Sequence, residues 1–179
     1  MRHSRGAAAR RGNGQIFATE DQFVGWLRRR ATVRGPVLGI GDDAAVATLR
    51  PGRRLLLTAD LSIEGVHFDL ARDPAESIGH RALARSLSDI AAMGGTPRFA
   101  LISIGLSPRV SRRWLERFYD GLFNLARRYR VQVAGGDTAR ASGKMLADVM
   151  VTGEASKGDV LLRSGAQKGD RLYVAGELG

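Results

Sequence analysis

The sequence contains no cysteine, only three lysines and no long apolar run. Without cysteine the chain can form no disulfide, no zinc–thiolate site and no thiol nucleophile. No apolar stretch approaches the roughly 20 residues that a helix needs to cross a bilayer, so we expect no membrane association. Because a lack of cysteine fits a reducing compartment, we expect a cytoplasmic protein.

Positive charge is abundant and is carried mostly by arginine, giving a formal net charge of +10 over 179 residues. Such a balance is typical of proteins that bind nucleic acid or handle phosphate-rich substrates. The arginines are scattered along the chain, and the two dense clusters are the N-terminus and residues 28–30. This scatter favours phosphate-rich substrates and makes nucleic acid an unlikely partner.

Length and composition predict one domain and part of a second. Residues 1–14 are basic, rich in glycine and alanine and free of acids, which predicts a disordered tail. An organellar transit peptide is the alternative interpretation of such a start, although this stretch has no apolar face. Residues 15–155 are predicted to form the main domain. Residues 156–179 are predicted to be a connection and the start of a truncated second domain.

Hydrophobic spacing predicts three helices. The first covers residues 19–30, with Thr19 as its N-cap, and the second covers residues 73–93, with Asp73 as the candidate cap. The third begins after Ser111. Its predicted apolar stripe consists of Leu115, Phe118, Leu122, Leu125 and Tyr129.

Short apolar or alternating runs between these helices predict strands. A further segment, residues 63–68, is expected to continue or bend the predicted strand at residues 54–60. The predicted strands cover residues 45–49, 54–60, 98–106, 131–134, 145–152 and 172–176.

Two adjacent carboxylates, Asp42 and Asp43, follow the Gly-Ile-Gly sequence of residues 39–41. Glycine allows a ligand to approach the backbone closely. Adjacent aspartates repel each other, and a compact site tolerates both charges only with a cation nearby. Mg²⁺ prefers oxygen ligands and often shares them with substrate phosphates. This stretch alone predicts either a metal–phosphate platform or a solvated turn.

Three further aspartates favour the platform. Asp60 closes an apolar run, Asp89 lies on an apolar helix and Asp137 follows two glycines. Aspartate is usually exposed unless it is paired or binds metal, so these placements are hard to explain by solvation alone. For Asp89 the alternative is an intrahelical pair with Arg85, which would contribute only about 0.2–0.5 kcal/mol.

Five stretches of this sequence together resemble thiamine-monophosphate kinases, of the superfamily that also holds aminoimidazole-ribotide synthetase and selenophosphate synthetase. Each motif is modest alone, but they occur in order and cover most of the chain after Gly14. The combination of EGVHF with LSDIAAMG points to the thiamine-phosphate branch. The stretches are GIGDDAAV (39–46), LLTADLSIEGVHFDL (56–70), ALARSLSDIAAMGGTPR (82–98), VAGGDTAR (133–140) and LLRSGAQKGDRLYVAGELG (161–179).

This resemblance implies ATP-dependent phosphorylation of thiamine monophosphate to thiamine diphosphate by direct, Mg²⁺-assisted phosphoryl transfer. It implies an α+β fold like the amino-terminal domain of aminoimidazole-ribotide synthetase, with a mixed, mainly antiparallel sheet and helices on one face. It also implies a homodimer that pairs through the strands of these domains. The expected ligands are therefore ATP, thiamine monophosphate and Mg²⁺.

The resemblance also implies roles for individual residues. Asp43, Asp89 and Asp137 would be central to Mg²⁺-assisted transfer, Gly136 and Arg163 would meet the nucleotide together with Asp137, and His67 would lie near the thiamine phosphate. No general base is assigned, because the acceptor phosphate is already an oxyanion. The implied metal ligands, with Asp42 in support and Ala59 through its carbonyl, are Asp42, Asp43, Thr58, Ala59, Asp60, Asp89 and Asp137.

The chain departs from the family pattern in four respects, of which Gly95 in place of the usual alanine is expected to be harmless. Ser86 stands where the family usually has asparagine, and Ala59 where it usually has threonine. We expect this chain to lack the family's second domain, and we therefore expect weak Mg²⁺–nucleotide binding and little or no turnover from this chain alone. The alternatives are a related ATP-using synthetase, a basic nucleic-acid-binding module and a non-catalytic dimerisation scaffold.

Overall fold

Four strands form one sheet in the part of the chain that the structure, a computed structural model, describes. The described residues are 17, 19–31, 39–40 and 44–174, so the predicted tail, Asp42 and Asp43 lie outside them. No described helix is long and apolar enough to cross a membrane. The elements are α1 (Glu20–Arg30), β1 (Arg53–Ile63), α2 (Ala75–Ala92), β2 (Thr96–Leu106), α3 (Arg112–Arg128), β3 (Gln132–Arg140), β4 (Leu146–Ser156) and a 3₁₀ turn (Arg163–Gly165).

The sheet has the strand order β1-β4-β2-β3. β4 is antiparallel to both β1 and β2, whereas β2 and β3 are parallel. Since α3 connects β2 to β3, this parallel pair has the helical crossover that parallel strands require. The predicted mixed, mainly antiparallel sheet is confirmed.

α2 and α3 pack side by side over one face of this sheet. Alternate residues of a strand point to opposite faces. Accordingly, Val149 and Val151 of β4 are fully buried beneath the helices, whereas Leu146 and Met150 point to the open face and are 36% and 39% exposed. The predicted placement of helices on one face is therefore confirmed.

Two glycines allow α2 and α3 to approach each other closely. A Cβ atom on Gly79 would lie 1.9 Å from the backbone oxygen of Phe118, and one on Gly121 would lie 1.9 Å from the backbone oxygen of Glu76. Both distances are far below van der Waals contact. Any side chain at these two positions would force the helices apart.

α1 runs beside α3 in the same direction. Near the start of both helices the Arg112 guanidinium lies 4.6 Å from the Phe17 ring centre, and at the end of α1 Arg30 pairs with Asp120 of α3. Between these points Trp26 packs edge-on against Tyr119, with ring centres 5.5 Å apart. Burial in this cluster raises the pKa of the Tyr119 phenol well above its usual value.

Two of the predicted helix caps are confirmed. Thr19 Oγ1 accepts a hydrogen bond from the Gln22 amide at 3.3 Å, and Ser111 Oγ accepts one from the Trp114 amide at 3.1 Å. Both caps could be predicted from the sequence because each depends only on two residues three positions apart.

The predicted cap of α2 is wrong. Pro74 occupies the N-cap position, and its side chain makes no capping hydrogen bond. Asp73 instead accepts a hydrogen bond from the Asp69 amide at 2.8 Å and pairs with Arg81 at 3.1 Å. The turn that precedes α2 therefore uses the carboxylate that the pattern assigned to the helix.

Several predicted boundaries also differ. Residues 45–49 form no strand, and only Val46 makes an isolated bridge. β3 continues to Arg140 instead of ending at residue 134, because after a register shift that skips Ala134 its glycine pair again pairs with β2. Tyr129 is 49% exposed, since α3 ends one residue before it. Residues 172–174 have no regular structure, and 175–176 lie outside the described residues.

Candidate functional site

Thr58 and Asp89 meet where β1 packs against α2. The Thr58 hydroxyl donates a hydrogen bond to Asp89 Oδ2 at 2.6 Å. Thr58 and Asp60 are two residues apart on β1, so their side chains lie on the same face of the strand, the face that α2 covers. Three of the predicted metal ligands are thus brought to one junction.

Arg85 of α2 holds the Asp60 carboxylate. Its Nη2 donates to Asp60 Oδ1 at 2.9 Å, and its Nη1 donates to the Leu61 carbonyl at 3.2 Å and to Ser62 Oγ at 3.4 Å. Arg85 and Asp89, both described residues, form no ion pair with each other. The alternative of an intrahelical pair for Asp89 is therefore wrong. The guanidinium instead turns to β1, where it has three acceptors.

The two departures from the family pattern have different surroundings. Ser86 is fully buried, and its hydroxyl donates to the Val149 carbonyl at 2.7 Å, which ties α2 to β4. Ala59 pairs with Met150 and lies between Thr58 and Asp60, so its side chain points to the open face. Neither side chain forms a hydrogen bond with Asp60 or Asp89 in the described structure.

Gly136 and Asp137 lie at the opposite edge of the sheet. Asp60, Val149, Ile102 and Gly136 are consecutive partners in one row across the four strands. Three strand spacings separate the ends of this row by about 14 Å. Asp137 Oδ1 accepts a hydrogen bond from the neighbouring Thr138 amide at 2.7 Å and makes no contact with Asp60 or Asp89.

The predicted acidic ligands therefore do not all converge within the described residues. No group of three or more histidine, cysteine, aspartate or glutamate side chains there is placed to hold a metal ion. Asp42 and Asp43, which would complete the predicted set, lie outside the described residues. The complete ligand set stays a prediction.

The chemistry of the junction nevertheless fits a hard cation. Thr58, Asp60 and Asp89 offer only oxygen donors, the type that Mg²⁺ prefers. Asp60 Oδ2 and Asp89 Oδ1 accept no hydrogen bond from another described residue, so each carboxylate has an oxygen available for a ligand. The junction can supply part of a magnesium site.

His67 lies in the loop that follows β1 and is exposed. Its Nδ1 accepts a hydrogen bond from the Ile63 amide at 3.1 Å, so the proton of the neutral imidazole is on Nε2. Glu64 stabilises the same loop from inside, since its Oε2 accepts from Arg109 at 2.7 Å and from the Met145 amide at 2.9 Å. His67 is therefore a fixed donor at the surface.

Arg163 begins the exposed 3₁₀ turn that follows β4. Among the described residues, its side chain forms no hydrogen bond or ion pair with Gly136 or Asp137. Sequence analysis missed Arg85 as a site residue, because its spacing of four residues from Asp89 indicated only an intrahelical pair.

Comparison with known proteins matches residues 41–155 to the family model "AIR synthase related protein, N-terminal domain". The chain is 41% identical over 142 residues to thiamine-monophosphate kinase of Bacillus subtilis, a match that covers 79% of this chain and 44% of the relative. The chain spans about half the length of the curated relatives it matches.

Solved structures agree with this fold. The crystal structure of thiamine-monophosphate kinase from Stenotrophomonas maltophilia K279a matches with a TM-score of 0.69 at 38% identity, covering 79% of this chain and 44% of that chain. The structure of AaThiL complexed with AMPPCP and TMP matches with a TM-score of 0.57 at 32% identity, covering 76% of this chain and 42% of that chain. The sheet and helices described above are therefore those of this fold.

Proposed function

The chain belongs to the family of AIR synthase related proteins through their N-terminal domain, and on this premise we propose that it is the magnesium- and nucleotide-binding half of a thiamine-phosphate kinase. The reaction is transfer of the γ-phosphoryl group of ATP to the phosphate of thiamine monophosphate, giving thiamine diphosphate. ATP use and the reducing conditions that suit the chain favour the cytoplasm.

The observation that carries this proposal is the contact of Thr58 with Asp89 beside Asp60. Phosphoryl transfer asks a protein mainly for positioning and for neutralisation of phosphate charge. Thr58, Asp60 and Asp89 would hold Mg²⁺ from one side, with Asp42 and Asp43 as the proposed further ligands. When bound, Mg²⁺ supplies the charge neutralisation that brings two phosphate-bearing anions together.

The opposite edge of the sheet would hold the nucleotide. Gly136 has φ = 150°, and a Cβ atom there would lie 1.9 Å from the Ile102 carbonyl oxygen, so the backbone requires glycine. That requirement comes from the close pairing of β3 with β2, and the backbone amides of Gly135 and Gly136 are the proposed contacts for phosphate oxygens beside Asp137. Because about 14 Å of sheet separates this edge from Asp60, a nucleotide with its metal ions, rather than one ion, would link the two.

Two exposed side chains complete the proposed substrate contacts. Arg163 can form a forked contact with a phosphate group. His67, with Nδ1 occupied by the Ile63 amide, offers Nε2–H to the thiamine phosphate. Neither residue needs to act as a general base, since the acceptor phosphate is already ionised near neutral pH.

The open face of the sheet supports the proposed homodimer. Leu57 is 65% exposed, and Leu61, Leu146 and Met150 lie on the same face. Large exposed apolar patches mark interaction surfaces, and two-fold dimers are the commonest assemblies. A second copy of this sheet would cover these side chains.

Binding of the ATP analogue AMPPCP, measured by titration calorimetry, tests the metal platform. We expect Mg²⁺-dependent binding that is lost in Asp89→Asn and Asp137→Asn and retained in Asp159→Asn, which removes an exposed carboxylate outside the site. Normal binding by both site variants would overturn the assignment of metal ligands.

Turnover is tested separately by coupling ADP release to a spectrophotometric signal in the presence of thiamine monophosphate. We expect little or no turnover from the 179-residue chain, because it spans about half the length of its relatives. Robust turnover would contradict the proposal that this chain is only the nucleotide-binding half.

A further inference from the structure

Arg85 lies at the centre of the β1–α2 junction. Its guanidinium contacts Asp60 Oδ1 at 2.9 Å and also the Leu61 carbonyl and Ser62 Oγ, so it is held in one orientation by three acceptors on β1. The side chain of Asp60 is 20% exposed and that of Arg85 40% exposed. This ion pair is therefore partly shielded from water.

A simple stabilising role does not account for this placement. A partly exposed ion pair contributes little to folding, typically less than a buried apolar contact. Arg85 instead places a permanent positive charge beside one of the two carboxylates, Asp60 and Asp89, that meet at this junction of the proposed magnesium site. No other described basic side chain forms an ion pair with Asp60 or Asp89.

We infer that Arg85 is a positioning residue whose guanidinium competes with magnesium for the Asp60 carboxylate. This inference rests on the proposed function. An ion that takes Asp60 as a ligand must share the carboxylate with the guanidinium or displace it. Arg85 thus orients Asp60 before the ion binds and lowers the affinity for the ion at the same time.

The size of the effect follows from charge. A unit positive charge a few ångströms from a divalent cation opposes its binding even at the high effective dielectric of a protein surface. Removing that charge should raise the affinity for a divalent ion roughly tenfold. Lysine retains the charge and lacks the fork, so Arg85→Lys should stay within about threefold of the unmodified chain.

The test measures binding of Mn²⁺, as a probe for Mg²⁺, by electron paramagnetic resonance of the free ion without nucleotide. The variants are Arg85→Met, which retains an unbranched apolar stem, Arg85→Lys, and the matched control Arg81→Met. Arg81 lies one turn earlier on α2 and pairs with Asp73 instead of Asp60. We expect roughly tenfold tighter Mn²⁺ binding in Arg85→Met only.

A second readout is independent of the metal. In urea unfolding with EDTA, Arg85→Met and Asp60→Asn should each lower the midpoint by only the small amount that a partly exposed pair contributes, and the double variant should be no less stable than Arg85→Met alone. Such non-additivity shows that the two side chains stabilise the fold through each other. Additive losses would overturn the ion pair on which the inference depends.

The outcomes separate the two proposals. If Arg85→Met binds Mn²⁺ no more tightly than the unmodified chain, and Arg81→Met binds it as the unmodified chain does, the inference is overturned. The proposed function then still stands. If neither the unmodified chain nor any variant binds Mn²⁺, even with AMPPCP present, the magnesium platform fails and the inference fails with it.

Discussion

The two faces of the sheet are built from the same strands and have opposite surroundings. On the covered face Val149 is fully buried and Ile102 is 2% exposed, whereas on the open face Leu57 is 65% exposed and Met150 39% exposed. The covered face thus supplies the apolar core, and it also places Asp60 and Thr58 beneath α2. The open face has exposed apolar side chains around Leu57, whereas Glu154 on the same face is buried and pairs with Arg50 and Arg98. Burial, rather than residue type, separates the stabilising face from the face available for association.

The largest expected effect on stability comes from a substitution between α2 and α3, the helices that cover one face of the sheet. Gly79→Ala adds a Cβ atom 1.9 Å from the Phe118 carbonyl oxygen, so α2 and α3 must separate. We expect a loss of more than about 3 kcal/mol in the free energy of unfolding, measured with urea. The control is Gly143→Ala, where a Cβ meets nothing within 4 Å and stability should change by about 0.5 kcal/mol or less. Equal stability of the two variants would refute the close helix contact.

The next effect compares the two faces directly. Ile102→Ala removes buried methyl groups from β2 beneath the helices and should cost about 2–3 kcal/mol. Leu57→Ala removes a similar group from the open face and should cost about 0.5 kcal/mol or less at concentrations where the chain is monomeric. Urea unfolding of both variants measures the difference. Similar losses in both would mean that the open face is already covered.

Association of the open face is expected to respond to charge. Leu57→Glu places a carboxylate in the proposed dimer surface and should raise the dimer dissociation constant about tenfold or more, which corresponds to about 1.4 kcal/mol. Light scattering over a concentration series measures this change, and Leu172→Glu, at a residue 99% exposed outside the sheet, is the control. A strictly monomeric unmodified chain at high concentration would remove the dimer proposal.

The smallest expected effect concerns the turn before α2. The backbone hydrogen bond from the Asp69 amide, aided by Arg81, holds the pKa of Asp73 below its ordinary value of 3.8. A lowered folded-state pKa contributes stability that is present above pH 3.8 and lost as the pH falls through the lower folded value. Urea midpoints between pH 5 and pH 2.5 should therefore fall less steeply in Asp73→Asn than in Asp159→Asn. Identical slopes would show that the turn contributes no pH dependence.

Local features of the fold could be predicted from the sequence because near neighbours decide them. The caps formed by Thr19 and Ser111 depend on an amide three residues away, and the buried stripe of α3 depends on helical spacing. Asp73 shows the limit of such patterns. Asp73 could either cap α2 or accept a hydrogen bond within the preceding turn, and it accepts the hydrogen bond from the Asp69 amide.

The candidate site was predictable as a set of residue types but not as a geometry. Sequence spacing singled out Asp60, Asp89 and Asp137, whereas pairing of the strands placed Asp137 at the edge opposite Asp60. Sequence spacing offered Arg85 a possible partner, Asp89, one turn away on its own helix, and packing of α2 on β1 gave it Asp60 instead. Long-range pairing is not encoded in any window of a few residues.

The sequence by itself determined the three helices, most of the strands, the motifs of the family and the oxygen-rich chemistry of the site, because side-chain type and local spacing carry that information. Only the tertiary structure decided the strand order, which face of the sheet is covered and which carboxylate the Arg85 guanidinium contacts. Those outcomes depend on contacts between residues far apart in the chain, and a guanidinium pairs with the acceptor that packing brings within about 3 Å.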